Sequence, residues 1–282
     1  MNSAQTIIAL ARDVVREAAS SKLLLAMFVL IALLLVGLTL SLDLEVVDGA
    51  LAGARIFGAN STNNAQVSVD TFLKPVFQAV AWVTFYFGLV FGIIATADIA
   101  PRLLQPGRVE HLLALPVRRV ELVVGVYVGV CAICAVCTSV AVGGVSLVLF
   151  AKAQMVTVAP LAGAVMAFIA FAAIYAVMLA VGVSARSSTL SAGAGLATFV
   201  AGLIVAHKQQ LLNWVQSPVT RTIFDVGSTP IPNLKALADI GAAAAIGEPL
   251  VFATVAPVVA GALAFAAAFV AIAAAVVHSR DF

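Results

Sequence analysis

Six stretches of this chain run for 17 to 29 residues without one charged side chain, and that pattern decides what it can fold into. They are 23–42, 75–97, 122–150, 159–183, 190–206 and 250–277. A helix needs about 20 mostly apolar residues to cross a hydrocarbon core roughly 30 Å thick. The chain is 63% hydrophobic and 10% charged, whereas soluble domains carry about 25% charged residues. It therefore lacks the polar surface that a water-facing globule requires. The pattern predicts an all-α integral membrane protein, one transmembrane domain over residues 1–282 with six transmembrane helices. The first apolar run is full-length and follows a mixed-charge segment, so it reads as a retained span and no signal peptide is expected.

The division between the fourth and fifth runs rests on Ser184-Ala185-Arg186-Ser187-Ser188-Thr189. From Ala153 to Ala206 the only charge is Arg186. A continuous helix would have to carry that polar run through lipid, so we read a turn and six spans, with five as the alternative.

Orientation follows from the cations, which concentrate in cytoplasmic loops. With the N-terminus inside, the inner segments hold Arg12, Arg16, Lys22, Arg102, Arg108, Arg118, Arg119, Arg186 and Arg280, nine of fifteen Lys and Arg. The outer segments collect seven of the thirteen acids, Asp43, Glu45, Asp48 and Asp70 among them. Both termini are expected in the cytoplasm, and the Ala, Val and Gly bias fits a bacterial inner membrane. A net charge of +2 provides no footprint for nucleic acid.

Three segments outside the spans carry pattern. In 1–21, Ile7, Leu10, Ala11, Val14 and Ala18 recur at helical spacing opposite Arg12, Asp13, Arg16 and Glu17. That is an amphipathic helix, expected to lie along the inner membrane surface. The outer segment 207–249 places Leu211, Leu212, Trp214 and Val215 before a turn at Pro230 and Pro232, and Leu234, Leu237, Ala238 and Ile240 after it. Two re-entrant or interfacial helices are expected there, as a gate or as a cap on the span ends. In the cytoplasmic loop 98–121, Gln105-Pro106-Gly107 forms a turn, and 108–115 allow two helical turns that Pro116 stops.

Gly107-x-x-Glu110-x-Leu112-Leu113-x-x-Pro116-Val117-x-Arg119, followed by Gly125, resembles the signature of type-2 ABC exporter permeases. Outer Pro232-Asn233-Leu234 is similar to an element that many such permeases carry before the final span. Pro106, Arg108, Arg118 and Val126 stand where relatives often have Glu, Thr, Ser and Lys. The resemblance implies a permease subunit that pairs with a second copy or a similar chain and docks cytoplasmic ABC ATP-binding subunits. ATP and Mg would sit on those partners, with no cofactor on this chain. Carried onto this sequence, the coupling helix is Gly107, Arg108, Glu110, His111, Leu112, Leu113, Pro116 and Arg119. In agreement, no Gly-x-x-x-x-Gly-Lys-Ser/Thr occurs, so the chain has no phosphate-binding loop of its own and is not expected to be an enzyme.

Other chemistries fit less well. His111, His207 and His278 all lie outside or at the ends of the spans, and no span holds an ionisable residue of the kind an ion-coupled carrier uses. A membrane anchor that recruits a cytoplasmic protein without moving cargo is the second alternative. Cys131, Cys134 and Cys137 read as small packing residues rather than a metal site. Gly125-x-x-x-Gly129 and Ser191-x-x-x-Gly195 permit close helix approach, within the chain or between two copies. The uncharged spans favour a hydrophobic or amphiphilic cargo.

Overall fold

With no water in the bilayer core, backbone groups must bond within their own element, and most of this chain is helical accordingly. The computed structural model describes residues 3–19, 22–47, 50–56, 59–60, 69–102, 118–153, 159–208, 210 and 230–279. In chain order the elements are α1 (Ser3–Ala19), α2 (Lys22–Ser41), β1 (Leu42–Val47), β2 (Ala50–Ile56), β3 (Ala59–Asn60), α3 (Val69–Thr96) and α4 (Ile99–Arg102). They continue with α5 (Arg119–Ala153), α6 (Ala159–Ala185), α7 (Ser188–Ala206), α8 (Leu234–Ala245) and α9 (Phe252–His278).

Among the described residues, five helical stretches are long and apolar enough to cross a membrane: Lys74–Arg102, Arg119–Lys152, Gly163–Ala185, Ser188–Ala206 and Phe252–His278. The chain is thus a helical multi-pass membrane protein. The first expected span falls on α2, whose apolar portion Leu25–Leu40 is shorter than those five.

The expected turn between the fourth and fifth spans is present. Arg186 leaves α6 in the left-handed region, φ 52°, and its N–H still bonds the carbonyl of Gly182 at 3.0 Å. Ser187 then caps α7, its hydroxyl accepting from the Leu190 N–H at 3.4 Å. Two residues suffice to reverse the chain, so α6 and α7 form an antiparallel hairpin.

One departure from the all-helical expectation lies in the first outer segment. β1, β2 and β3 form an antiparallel sheet in sequence order, with Val47 opposite Ala50 and a bulge between Glu45 and Val46. The two residues between Val47 and Ala50 are Asp48-Gly49, a pair whose tolerance of positive φ favours two-residue hairpins.

α6 is the centre of the bundle. It packs against α3, α5, α7, α8 and α9, and Phe171, Ile174, Tyr175, Met178 and Leu179 are fully buried along it. Lipid is as apolar as leucine, so such helices associate through close van der Waals fit and small residues rather than through hydrophobic burial. Gly92 shows the fit: a β-carbon there would lie 2.8 Å from the Phe171 ring.

Candidate functional site: the 98–121 loop and its supports

The motif residues Gly107, Arg108, Glu110, His111, Leu112, Leu113 and Pro116 lie outside the described residues. What the structure describes is how both ends of their loop are held.

On the incoming side, the short helix α4 follows α3 directly. The Arg102 guanidinium pairs with the Asp98 carboxylate at 3.1 Å one turn earlier. Ala100 is fully buried and Pro101 is buried. A β-carbon at Gly182 would come 3.0 Å from Ala100 and 3.3 Å from Pro101. This end of the loop therefore rests on the α6–α7 hairpin.

On the outgoing side, Arg118 is the residue before α5, and its N–H donates to the Glu121 carboxylate at 3.2 Å. That is half of a capping box, satisfying one of the donors a helix start leaves open. Glu121 also accepts from the Ser3 hydroxyl of α1. Arg119, the last motif residue, donates through Nη1 to the carbonyls of His278 at 3.0 Å and Val277 at 3.4 Å. A cation there satisfies carbonyls that the end of α9 leaves open and opposes its negative dipole. Arg119 thus ties the loop's exit to the far end of the chain, 159 residues away in sequence. Glu121 and the Asp98–Arg102 pair were not singled out by the sequence; their positions at helix ends were the available signal.

The amphipathic N-terminal helix is also placed by this region. α1 runs alongside the first turns of α5 in the same direction, with Ser3 at Glu121, Leu10 at Gly125 and Val14 at Gly129. A β-carbon on Gly125 would lie 2.7 Å from Leu10 Cβ; one on Gly129 would lie 2.9 Å from Val14 Cβ and 3.0 Å from the Ala11 carbonyl. The Gly-x-x-x-Gly pair is therefore a seat for α1 within the chain. The apolar face behaves as expected, with Ala11, Val14 and Ala18 buried and Arg12, Asp13 and Arg16 exposed.

The second small-residue pair is likewise used internally. Ser191 is fully buried and donates to the Met178 carbonyl at 3.0 Å. A β-carbon on Gly195 would meet the Met178 thioether at 2.7 Å. Both motifs pack this chain against itself.

At the opposite end, α8 confirms the later of the two helices expected in 207–249; Leu211, Leu212, Trp214 and Val215 lie outside the described residues. Asn233 caps α8, its side-chain oxygen accepting from the Ala236 N–H at 3.0 Å. Leu234, Leu237, Ala238, Gly241, Ala242 and Ala245 are buried against α3, α6, α7 and α9. Leu234 fills the notch at Gly202 of α7, and a β-carbon on Gly241 would lie 3.1 Å from the Gly163 Cα of α6. This helix is inserted among the span ends rather than laid over them. Asn233→Ala removes the cap and is expected to cost about 1 kcal/mol. Thermal unfolding in detergent measures it, with Asn233→Asp retaining most of the stability.

Cys137 is buried and Cys131 and Cys134 are half-buried on α5; among the described residues no cluster of His, Cys, Asp and Glu is arranged to hold a metal. Of the other histidines, His207 faces the Leu203 carbonyl at 3.2 Å and His278 ends α9. Tyr175 of α6 stacks between Phe171 and Tyr127 at ring distances of 5.9 and 6.2 Å. Tyr127 donates to the Ala172 carbonyl at 3.0 Å, joining α5 to α6.

A search of curated proteins finds no matching relative. Residues 8–209 match the family described as ABC-2 family transporter protein. The match takes in most of α1, the 98–121 loop and α2 to α7, stopping before α8 and α9. Covering well over half of the 282 residues, and joined to the multi-pass helical fold, it shows that this chain is a permease of the ABC-2 transporter family.

Proposed function

We propose that the chain is the transmembrane subunit of an ATP-driven exporter, working as a pair with a second copy and docking cytoplasmic ATP-binding subunits through Gly107 to Arg119. The observation that carries this reading is the double anchorage of the loop. One end bears on the α6–α7 hairpin through Ala100 and Pro101, the other on α9 through Arg119. A push on a loop held at both ends moves the helices behind it, whereas a slack connector would absorb the displacement. Closure of the ATP-binding subunits would then shift the hairpin and α9 together.

In this reading α2, with 20 residues from Lys22 to Ser41, is the sixth span, since 20 residues at 1.5 Å each cover a core of about 30 Å. Both termini face the cytoplasm of a bacterium, in accord with the cations near α1, the loop and Arg186. The outer faces of α7 and α9 keep Leu190, Val200, Ile204, Leu263 and Ile272 exposed, apolar surface for lipid and for the second copy. α8 serves as the outer gate, inserted where a pathway between two copies would open.

Purifying the tagged chain from its native membrane in mild detergent tests the proposal. The expected result is a stoichiometric ATP-binding protein in the preparation and measurable ATP hydrolysis. A well-behaved chain that brings down no such protein would overturn it in favour of a carrier or scaffold.

A further inference from the structure

The amphipathic pattern of α1 predicts a helix laid flat on the inner membrane surface, and the structure places it otherwise. Leu10 meets Gly125 and Val14 meets Gly129, so four residues of advance on α1 match four on α5. The Ser3 hydroxyl reaches Glu121 at the start of the same run. Helices that stay in step over this length are nearly parallel. α1 therefore descends beside α5 instead of crossing beneath the spans.

The depth of that descent follows from the neighbouring helices. α7 has 19 residues from Ser188 to Ala206, about 28 Å at 1.5 Å per residue, and so covers a hydrocarbon core of about 30 Å by itself. It begins just after the turn at Arg186, which marks the edge of the core on the side of the 98–121 loop. Tyr127 of α5 stacks on Tyr175 of α6 at 6.2 Å and so stands level with it. From Tyr127 back to Arg119 is about 12 Å, and from Tyr175 on to Ala185 about 15 Å, so α5 starts within a turn of that edge. Exposed apolar side chains agree with hydrocarbon at this level: Val120 and Val128 on α5, Leu190 on α7 and Ile272 on α9. Gly129 lies about 10 Å past Leu122, where the apolar run of α5 begins. Arg12 and Arg16, two residues to either side of Val14, thus stand at about 7 and 13 Å, within the depth of one leaflet.

The face at that depth is polar. Gln5, Arg12 and Arg16 recur at seven- and four-residue spacing on the side of α1 turned away from α5, and all three are exposed. Charged side chains at membrane depth face a bundle interior or a water-filled cavity, because hydrocarbon does not solvate them. This side is turned out of the chain's own bundle. A second copy related by a twofold axis would set the stripe of cations against itself. We infer that the outward face of α1 lines a water-filled vestibule, open on the side of the 98–121 loop and reaching to about the level of Gly129. For a permease it is the aqueous approach to the membrane interior from that side. The inference does not depend on ATP-driven export, since a carrier would need the same water.

Thiols report where the water reaches. Arg12→Cys and Arg16→Cys are made singly in the full chain carrying Cys131→Ala, Cys134→Ala and Cys137→Ala, and reconstituted in phospholipid vesicles with a charged, membrane-impermeant maleimide on both sides. The thiolate is the reactive form, and a thiol against hydrocarbon stays protonated, so the rate separates the two settings. Ile272→Cys is the control at a like depth on α9, six residues before the His278 carbonyl that Arg119 holds. Both arginine positions are expected to react within about threefold of Gln5→Cys, near the mouth, and at least about tenfold faster than Ile272→Cys. A nitroxide attached to the Arg16→Cys variant provides a second readout and is expected to collide more with a water-soluble nickel chelate than with oxygen. An inert Arg16→Cys with oxygen-dominated collisions would place the face in lipid and overturn the vestibule. An inert Arg16→Cys that an oxidant joins to its counterpart would overturn it as well, a second copy then covering the face. Equally fast reaction of Ile272→Cys would put this depth outside the membrane, with the same consequence.

Discussion

Gly129→Leu is expected to strip α1 from the bundle while leaving the spans folded. Even the first carbon of a side chain at that position meets Val14 Cβ at 2.9 Å and the Ala11 carbonyl at 3.0 Å. The carbonyl belongs to backbone and cannot rotate away. α1 cannot slide to relieve the clash either, because one turn back Leu10 sits equally close on Gly125. Overpacking of this kind costs about 1 to 3 kcal/mol, and among the described residues α2 touches α1 only lightly. The effect falls on a helix whose opposite face carries Arg12, Asp13 and Arg16, so release exposes an amphipathic segment. Protease cleavage within residues 3–19 of the reconstituted protein measures it. Gly143→Leu lies on the same helix, where an added β-carbon meets nothing within 4 Å, and should leave α1 protected. Equal protection in both variants would mean that the glycine pair is not its seat.

The second large effect is expected at the coupling loop. Glu110→Lys reverses the one acid in the motif and should abolish association with the ATP-binding subunit. Breaking a buried charged contact across an interface costs about 2 to 5 kcal/mol, enough to lower affinity by more than tenfold. Arg119→Gln provides the contrast. Its Nη1 contacts join α5 to the carbonyls of Val277 and His278, at a partly exposed helix end where such a cation is worth about 0.3 to 1 kcal/mol. Stability and subunit association should therefore be nearly normal, while transport per ATP hydrolysed falls. Co-purification yields and ATP turnover in vesicles separate the two outcomes. Normal assembly in Glu110→Lys would count against the coupling segment, and normal coupling in Arg119→Gln against α9 as the element it drives.

How far the candidate site was legible follows from the kind of signal each part carries. The motif from Gly107 to Arg119 is readable because glycine, proline and paired leucines punctuate it whatever surrounds them. Its supports were not readable. Arg119 looks like one more loop cation until α9, more than 150 residues later, brings its last carbonyls alongside. Glu121 looks like an interfacial acid until Ser3 and the Arg118 amide close on it.

The same division runs through the fold. Sequence alone determined the long apolar runs, the break at Ser184 to Thr189 and the two faces of α1, because each is a local property: span length, a polar run in lipid, or helical periodicity. Asp48-Gly49 belonged to that class as well. Only the tertiary structure decided which apolar helix would be central. α6 and α9 are both apolar all round, yet α6 is enclosed on nearly every side and α9 keeps Phe252, Leu263 and Ile272 exposed. A bilayer and a protein interior reward the same side chains, so hydropathy does not separate a lipid-facing helix from a buried one. The distinction arises where glycine lets another element come close: α1 at Gly125 and Gly129, Phe171 at Gly92, Leu234 at Gly202. Those contacts depend on which helices meet, and that is a property of the assembled bundle.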